Sequence, residues 1–261
     1  MPCLHIWKIG GRVLDDPTML MALLQAFSNL PTPKLLVHGG GDQASELSSR
    51  LGITPQKVQG RRITDQATLE VVTMVYAGLL NKKLVAGLQG LGVNALGLTG
   101  ADADIIRAKK REVKEVDYGY AGDIFLREGS EQPLSDFLSM GLTPVVCALT
   151  HDGQGQLLNT NADTIAAHLG QTLSQEFKVK LAYCFDKPGV LLDTHNPQSV
   201  VRELNPELYQ KLKNQGKIAD GMIPKLDNAF AALEGGVQEI LLGDWQGITS
   251  TKPNGTRLCM K

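Results

Sequence analysis

The chain has 261 residues, 43% of them hydrophobic and only 5% aromatic, so it carries enough aliphatic material for a large core. Its 26 basic and 27 acidic side chains leave a formal charge of −1, which excludes a strong overall field for nucleic acid or an anionic membrane surface. Any anion must be gripped locally. Cys3, Cys147, Cys184 and Cys259 are widely separated and form no CxxC or Cys/His spacing for zinc or disulfide exchange. No basic segment followed by a long apolar stretch opens the sequence, and nowhere do about eighteen apolar residues run together. A reducing, cytoplasmic setting is expected.

Short aliphatic runs of strand length recur along the chain: LHIWKI at 4–9, KLLV at 34–37, NALGL at 94–98, TPVVCAL at 143–149, VKLAYC at 179–184 and QEILLG at 238–243. Helical patterns lie between them. Leu20, Leu23, Leu24 and Phe27 fall at i, i+3, i+4 and i+7, as do Leu226, Ala229, Phe230 and Leu233, so each set shares one helix face. Gly235 and Gly236 supply a stop for the second helix. Strand alternating with helix predicts an α/β protein built of parallel βαβ units, with the sheet buried on both faces. Residues 100–130, containing DYGYAGD, read as hairpins beside that sheet. The stretch THDGQGQLLNTNAD at 150–163 separates two blocks, 1–150 and 151–261, read as two lobes of one continuous body.

Two glycine turns stand out, Gly10-Gly11 after the first run and Gly39-Gly40-Gly41 after the second. Each is a tight turn, or an anion site with backbone N–H groups left bare at the positive end of the following helix. No Lys-Ser/Thr pair makes either a P-loop, and HGGGDQAS lacks the dinucleotide spacing. Lys8 inside IWKIGG is either a snorkelling edge lysine or a cation aimed at phosphate. Lys225 falls in the first turn of its helix, where a cation opposes the helix dipole unless an anion lies close. In NTNAD, Asn159, Asn161 and Asp163 stand at another helix mouth; Asn161 or Asp163 suffices as a cap, so three polar groups exceed that need. Arg61 and Arg62 are a solvated pair or a carboxylate clamp. His38 and His151 show no ligand spacing and read as structural.

With KIGG, VHGGG, GRRIT, DYGYAG, NTNAD, DKPGVL and DGMIPK in this order over nearly the whole length, the chain resembles the amino acid kinase family, and within it the N-acetylglutamate kinases of arginine biosynthesis. The resemblance implies a three-layer αβα sandwich around a mainly parallel sheet, with residues 1–150 binding an acylglutamate and residues 151–261 binding ATP. It implies that Lys8 and Lys225 stabilise the moving phosphoryl group and that Asp163 orients them. Gly40, Gly41, Arg62 and Asn159 would hold the acylglutamate, and Gly10 and Gly11 would cradle the β and γ phosphates. Asp186 and Gly189 would lie near the nucleotide. Magnesium would come with ATP, held mainly by the phosphates, so no protein ligand to a metal is assigned. The reaction implied is attack of the γ-carboxylate of N-acetyl-L-glutamate on the γ-phosphorus of ATP.

Departures from the family pattern are Lys187, where a small or apolar residue is usual, and Arg61, which adds charge beside Arg62. An N-succinyl-L-glutamate substrate is therefore an alternative, and a non-catalytic nucleotide or amino-acid sensor is an alternative of another class. The chain starts almost at its first strand, without the extra helix of arginine-inhibited hexameric relatives. A homodimer without arginine feedback is the expectation.

Overall fold

In the computed structural model, which describes all residues except 59, 219, 250–253 and 261, the first strand lies inside an eight-stranded sheet. In chain order the strands are β1 (Cys3–Ile9), β2 (Lys34–His38), β3 (Ala95–Leu98), β4 (Thr143–Cys147), β5 (Lys178–Cys184), β6 (Glu203–Leu204), β7 (Glu239–Gly243) and β8 (Thr256–Leu258). Their spatial order is β6-β8-β7-β5-β1-β2-β4-β3. Every neighbouring pair is parallel except β7 with β8. The six aliphatic runs all become strands of this sheet. β6 and β8 were not legible, being two and three residues long at one edge.

Helices cover both faces: α1 (Gly11–Asp15), α2 (Pro17–Ser28), α3 (Gly41–Arg50), α4 (Gln66–Thr73), α5 (Asn81–Gly90), α6 (Gln132–Ser139), α7 (Ala162–Leu173), α8 (Pro206–Asn214), α9 (Ile223–Glu234) and α10 (Trp245–Thr249). This is the expected αβα sandwich. Alternation along β1 sends Trp7 to one face, where it meets Phe27 of α2 edge-on at 5.6 Å between ring centroids. The same alternation sends Lys8 to the other face, towards α7. β2 and β4 are buried at every position, as a sheet covered on both sides requires. Leu23, Leu24 and Phe27 of α2 and Leu226, Ala229 and Phe230 of α9 are buried, so both helical patterns face the core as their spacing indicated. Asp16 caps α2 through the N–H groups of Thr18 and Met19, and Gly235 closes α9.

A π-helical segment, Met74–Leu80, joins α4 to α5 in one continuous run. Among the described residues this run has the length and apolarity of a membrane span, with a mean hydropathy of 1.3. Its side chains Val71, Val72, Val75, Leu84 and Leu88 are part of the core. Among the described residues three antiparallel hairpins stand outside the main sheet: Lys57–Val58 with Arg61–Arg62, Ala108–Lys110 with Gly122–Ile124, and Leu149–His151 with Leu157–Asn159. Isolated bridges from Thr64 to Gly119 and from Ala121 to Asn159 connect them. The second hairpin is the one expected within 100–130. The third is the stretch that separates the two blocks, while the main sheet runs unbroken across that boundary through β1 and β5.

Candidate active site

Three elements bring one charge each to a single point. β1 supplies Lys8, the first turn of α7 supplies Asp163, and the first turn of α9 supplies Lys225. Lys8 Nζ lies 2.8 Å from Asp163 Oδ1, and Lys225 Nζ lies 2.7 Å from Asp163 Oδ2. Asn161 takes the capping duty, its Oδ1 accepting from the Asp163 N–H at 2.7 Å, which leaves the Asp163 carboxylate to the lysines. The same carboxylate is the anion that offsets Lys225 at the positive end of α9. All three side chains are at least 86% buried. Burial alone would raise the Asp163 pKa, but the charges of Lys8 and Lys225 outweigh it and hold the group well below the ordinary carboxylate range. Burial and the charge of Lys8 push Lys225 down to about 8, against the opposing pull of Asp163. The Lys225 ammonium also sits over the rings of Tyr183 and Phe185, at 5.3 and 5.7 Å from their centroids.

Lys8 and Asp163 border a cavity of about 460 Å³ that is also lined by Gly39–Gly41, Arg62, Tyr76 and Asn159. Gly40 has φ +149, and a Cβ there would collide with Leu80 and press on the Tyr76 ring. Arg62 is buried, and its Nη2 donates to Gly41 O at 2.5 Å and to Ser45 Oγ at 2.7 Å. Its Nη1 is buried without a partner, a donor suited to a carboxylate. Asn159 Nδ2 donates to Thr64 Oγ1 at 3.0 Å. Arg61 is exposed on the rim, near Arg111, whose Nε donates to Asp123 at 3.0 Å.

A second cavity, of about 320 Å³, is lined by Gly10, Gly11, Asp42, Phe185, Asp186 and Lys187 among others. It adjoins the first, since Gly11 and Asp42 border both. Gly10 does not offer the bare N–H expected of its turn. Gly10 has φ −86 and its N–H donates to Cys184 O at 2.9 Å, because the turn continues the pairing of β1 with β5. Gly11 opens α1, so its N–H has no acceptor within the helix. Asp186 is ion-paired with Arg12 at 2.6 Å. Gly189 borders neither cavity: a Cβ there would meet Thr256 Oγ1 and Val200, so its want of a side chain lets the turn pack on β8.

Several residues of the first cavity went unread. Tyr76 lies in the π segment, where the 3.6-residue periodicity that marks helix faces is broken. Asn228 lines the cavity and donates to Thr164 Oγ1 at 3.2 Å. Its signal was available, because it stands three residues after Lys225 and so shares its helix face. Among the described residues no group of three or more His, Cys, Asp or Glu is gathered as a resident metal would need.

An αβα sandwich with buried lysines meeting on one carboxylate, beside two adjoining cavities at the carboxyl ends of parallel strands, is the architecture of an enzyme that handles anionic groups. The chain belongs to the amino acid kinase family, whose sequence profile matches residues 4–244, and is thus a phosphotransferase. It is 49% identical over 263 residues to an acetylglutamate kinase of Cytophaga hutchinsonii, covering 99% of both chains. It is 50% identical to an acetylglutamate kinase of Bacteroides fragilis over 92% of this chain and 91% of that one. Its fold resembles N-acetylglutamate synthase from Neisseria gonorrhoeae, solved with coenzyme A and N-acetyl-glutamate, with TM-score 0.83 and 23% identity over 99% of this chain and 59% of that one.

Proposed function

We propose that the chain transfers the γ-phosphoryl group of ATP to the γ-carboxylate of N-acetyl-L-glutamate, forming N-acetyl-L-glutamyl 5-phosphate and ADP in arginine biosynthesis. The observation that carries this reading is the convergence of Lys8 and Lys225 on Asp163, beside a cavity in which Arg62 keeps one buried donor unpaired. Identity near one half to chains named acetylglutamate kinase supports the choice of acid.

A carboxylate is already a nucleophile at neutral pH, so this transfer needs no general base. Catalysis then consists of positioning and of charge placed where the transferring oxygens will lie. Arg62 Nη1 takes the α-carboxylate, while Gly40, Gly41 and Asn159 orient the rest of the acylglutamate, Gly40 at the end where its γ-carboxylate meets the phosphoryl group. Lys8 and Lys225 flank the path of the phosphoryl group, and Asp163 keeps the two ammonium groups from repelling each other apart. Gly11 N–H, at the start of α1, meets the β and γ phosphates; Gly10 contributes its lack of a side chain. Asp186 and Gly189 belong to the wall and frame of the nucleotide side. Magnesium would come with ATP and be held mainly by its phosphates, where it would supply charge neutralisation, with Asp42, which borders both cavities, as an outer contact.

On this reading residues 1–150 form mainly the acylglutamate lobe and residues 151–261 mainly the ATP lobe. A cytoplasmic setting agrees with four free cysteines, of which Cys147 and Cys184 are buried thiols. A homodimer agrees with Met74 and Leu79, exposed on the outer side of the long helical run; light scattering checks it. ADP release in a coupled assay tests the function, with N-acetyl-L-glutamate, N-succinyl-L-glutamate, L-glutamate and carbamate compared. The acetyl compound is expected to give the highest kcat/KM. A higher value for another acid, or no ADP release with any, overturns the proposal.

A further inference from the structure

His38 closes β2, a strand otherwise built of Lys34 and aliphatic residues, and it is completely buried one residue before the glycine turn. Its two ring nitrogens have different partners. Nδ1 lies 2.8 Å from Gly39 O, and Nε2 lies 3.1 Å from Asn81 Nδ2. The same Asn81 Nδ2 donates to Val145 O at 2.8 Å, and Asn81 Oδ1 accepts from Lys82 Nζ at 3.2 Å, so the orientation of this amide is settled by its neighbours. Since Asn81 donates, Nε2 accepts; since Gly39 O accepts, Nδ1 carries the proton. The ring is neutral and confined to one tautomer.

The hydrogen bond from His38 restrains a peptide that faces the first cavity. A trans peptide points its C=O and N–H in opposite directions, so holding Gly39 O against the ring turns Gly40 N–H away from it. Gly40 N–H has no hydrogen-bond partner among the described residues, and Gly39 and Gly40 both line the cavity. Asn81 owes its place to the π segment, which it directly follows: each residue of an α-helix turns the face by about 100°, so a different count before Asn81 would aim its amide elsewhere.

We infer that His38 is a positioning residue which, held as the Nδ1–H tautomer by Asn81, directs the Gly40 N–H into the cavity to meet oxygens of the transferring phosphoryl group. This rests on the kinase reading above. Neither His38 nor Asn81 touches substrate; both act through the Gly39–Gly40 peptide.

The test joins nitrogen NMR of ¹⁵N-histidine-labelled protein to steady-state kinetics. The imidazole shifts of His38, assigned by their disappearance in His38→Asn, are expected to show Nδ1–H, and Asn81→Asp, which offers an acceptor to Nε2 while Gly39 O still accepts from Nδ1, is expected to add a proton at Nε2. His38→Asn puts an amide N–H near the Nδ1 position, whereas His38→Gln places its amide near Nε2 and loses the bond to Gly39. His38→Gln is therefore expected to have a kcat about tenfold or more below that of His38→Asn, with KM for N-acetyl-L-glutamate little changed, since one donor to the transition state is misdirected. Disappearance of the same signals in His38→Gln gives the assignment independently, so the wild-type tautomer is read if either variant folds. An Nε2–H ring in the wild type, or equal kcat for the two His38 variants, overturns the inference while leaving the kinase reading standing. No turnover of N-acetyl-L-glutamate by the wild type overturns the kinase reading and, with it, the role in transfer.

Discussion

The ammonium of Lys225 lies 2.7 Å from Oδ2 of Asp163, a partner 62 residues earlier in the chain. The carboxylate's other oxygen faces Lys8. One negative charge thus serves two buried cations, and the group as a whole keeps a single positive charge for an incoming phosphoryl group. Burying three charges is costly unless they pair, so the arrangement makes sense as a prepared electrostatic site more than as a source of stability.

Removing either cation should remove transition-state stabilisation. Lys8→Ala and Lys225→Ala are each expected to lower kcat by a factor on the order of a hundred or more, with circular dichroism unchanged. Near-normal turnover of either variant under saturating MgATP and N-acetyl-L-glutamate would strip that lysine of its role.

The same group predicts opposite pH effects on activity and stability. Because the folded pKa of Lys225 is lowered from 10.5 to about 8, the unfolded chain holds that proton more tightly. Its contribution to stability therefore rises with pH between those two values. Activity needs the proton, so kcat/KM for MgATP should fall as pH rises through about 8. Asp163, depressed below its ordinary 3.8, contributes stability that is present above that value and lost as pH falls through the lowered one. Asp163→Asn should move the alkaline limb of kcat/KM to lower pH, because Asp163 supports the charge on Lys225. A limb that stays in place would contradict this.

Arg62 is expected to act on binding. Loss of a charge-assisted contact of about 1.5–3 kcal/mol corresponds to roughly a ten- to hundredfold rise in KM for N-acetyl-L-glutamate in Arg62→Ala, with the KM for MgATP nearly unchanged. Initial-rate kinetics with each substrate varied in turn would show whether the effect falls on the acid alone.

Gly40 is a packing position as well as a turn. Gly40→Ala forces a methyl group against Leu80 and Tyr76 at a φ that favours glycine, and should cost about 1–3 kcal/mol in urea unfolding. Adding Leu80→Ala should recover part of that loss through the space it opens; a double variant no more stable than Gly40→Ala would refute the contact.

How much of this was visible in the residues depended on range. The strand and helix periods are local, so the runs around Lys8, Val37, Val145 and Leu181 sufficed for the sheet interior, whereas β6 and β8 are too short to show a period. Lys8 and Lys225 stood out because each breaks a local rule, a charge inside a strand and a cation at a helix amino terminus. Their meeting at Asp163 depends on three distant segments and could be approached only through the family resemblance. His38 looked merely structural because its role depends on Asn81, brought opposite it by a π segment that no simple period announces. Gly10 and Gly189 show the converse limit: a glycine in a motif does not tell whether its N–H is free or its missing side chain makes room for a neighbouring strand.

Phosphoryl transfer onto a carboxylate is tested most directly by trapping the product. With ATP, Mg²⁺, N-acetyl-L-glutamate and hydroxylamine, a hydroxamate is expected to form in step with ADP, because hydroxylamine captures an acyl phosphate. ADP released without hydroxamate, or neither product with the wild-type chain, would contradict it.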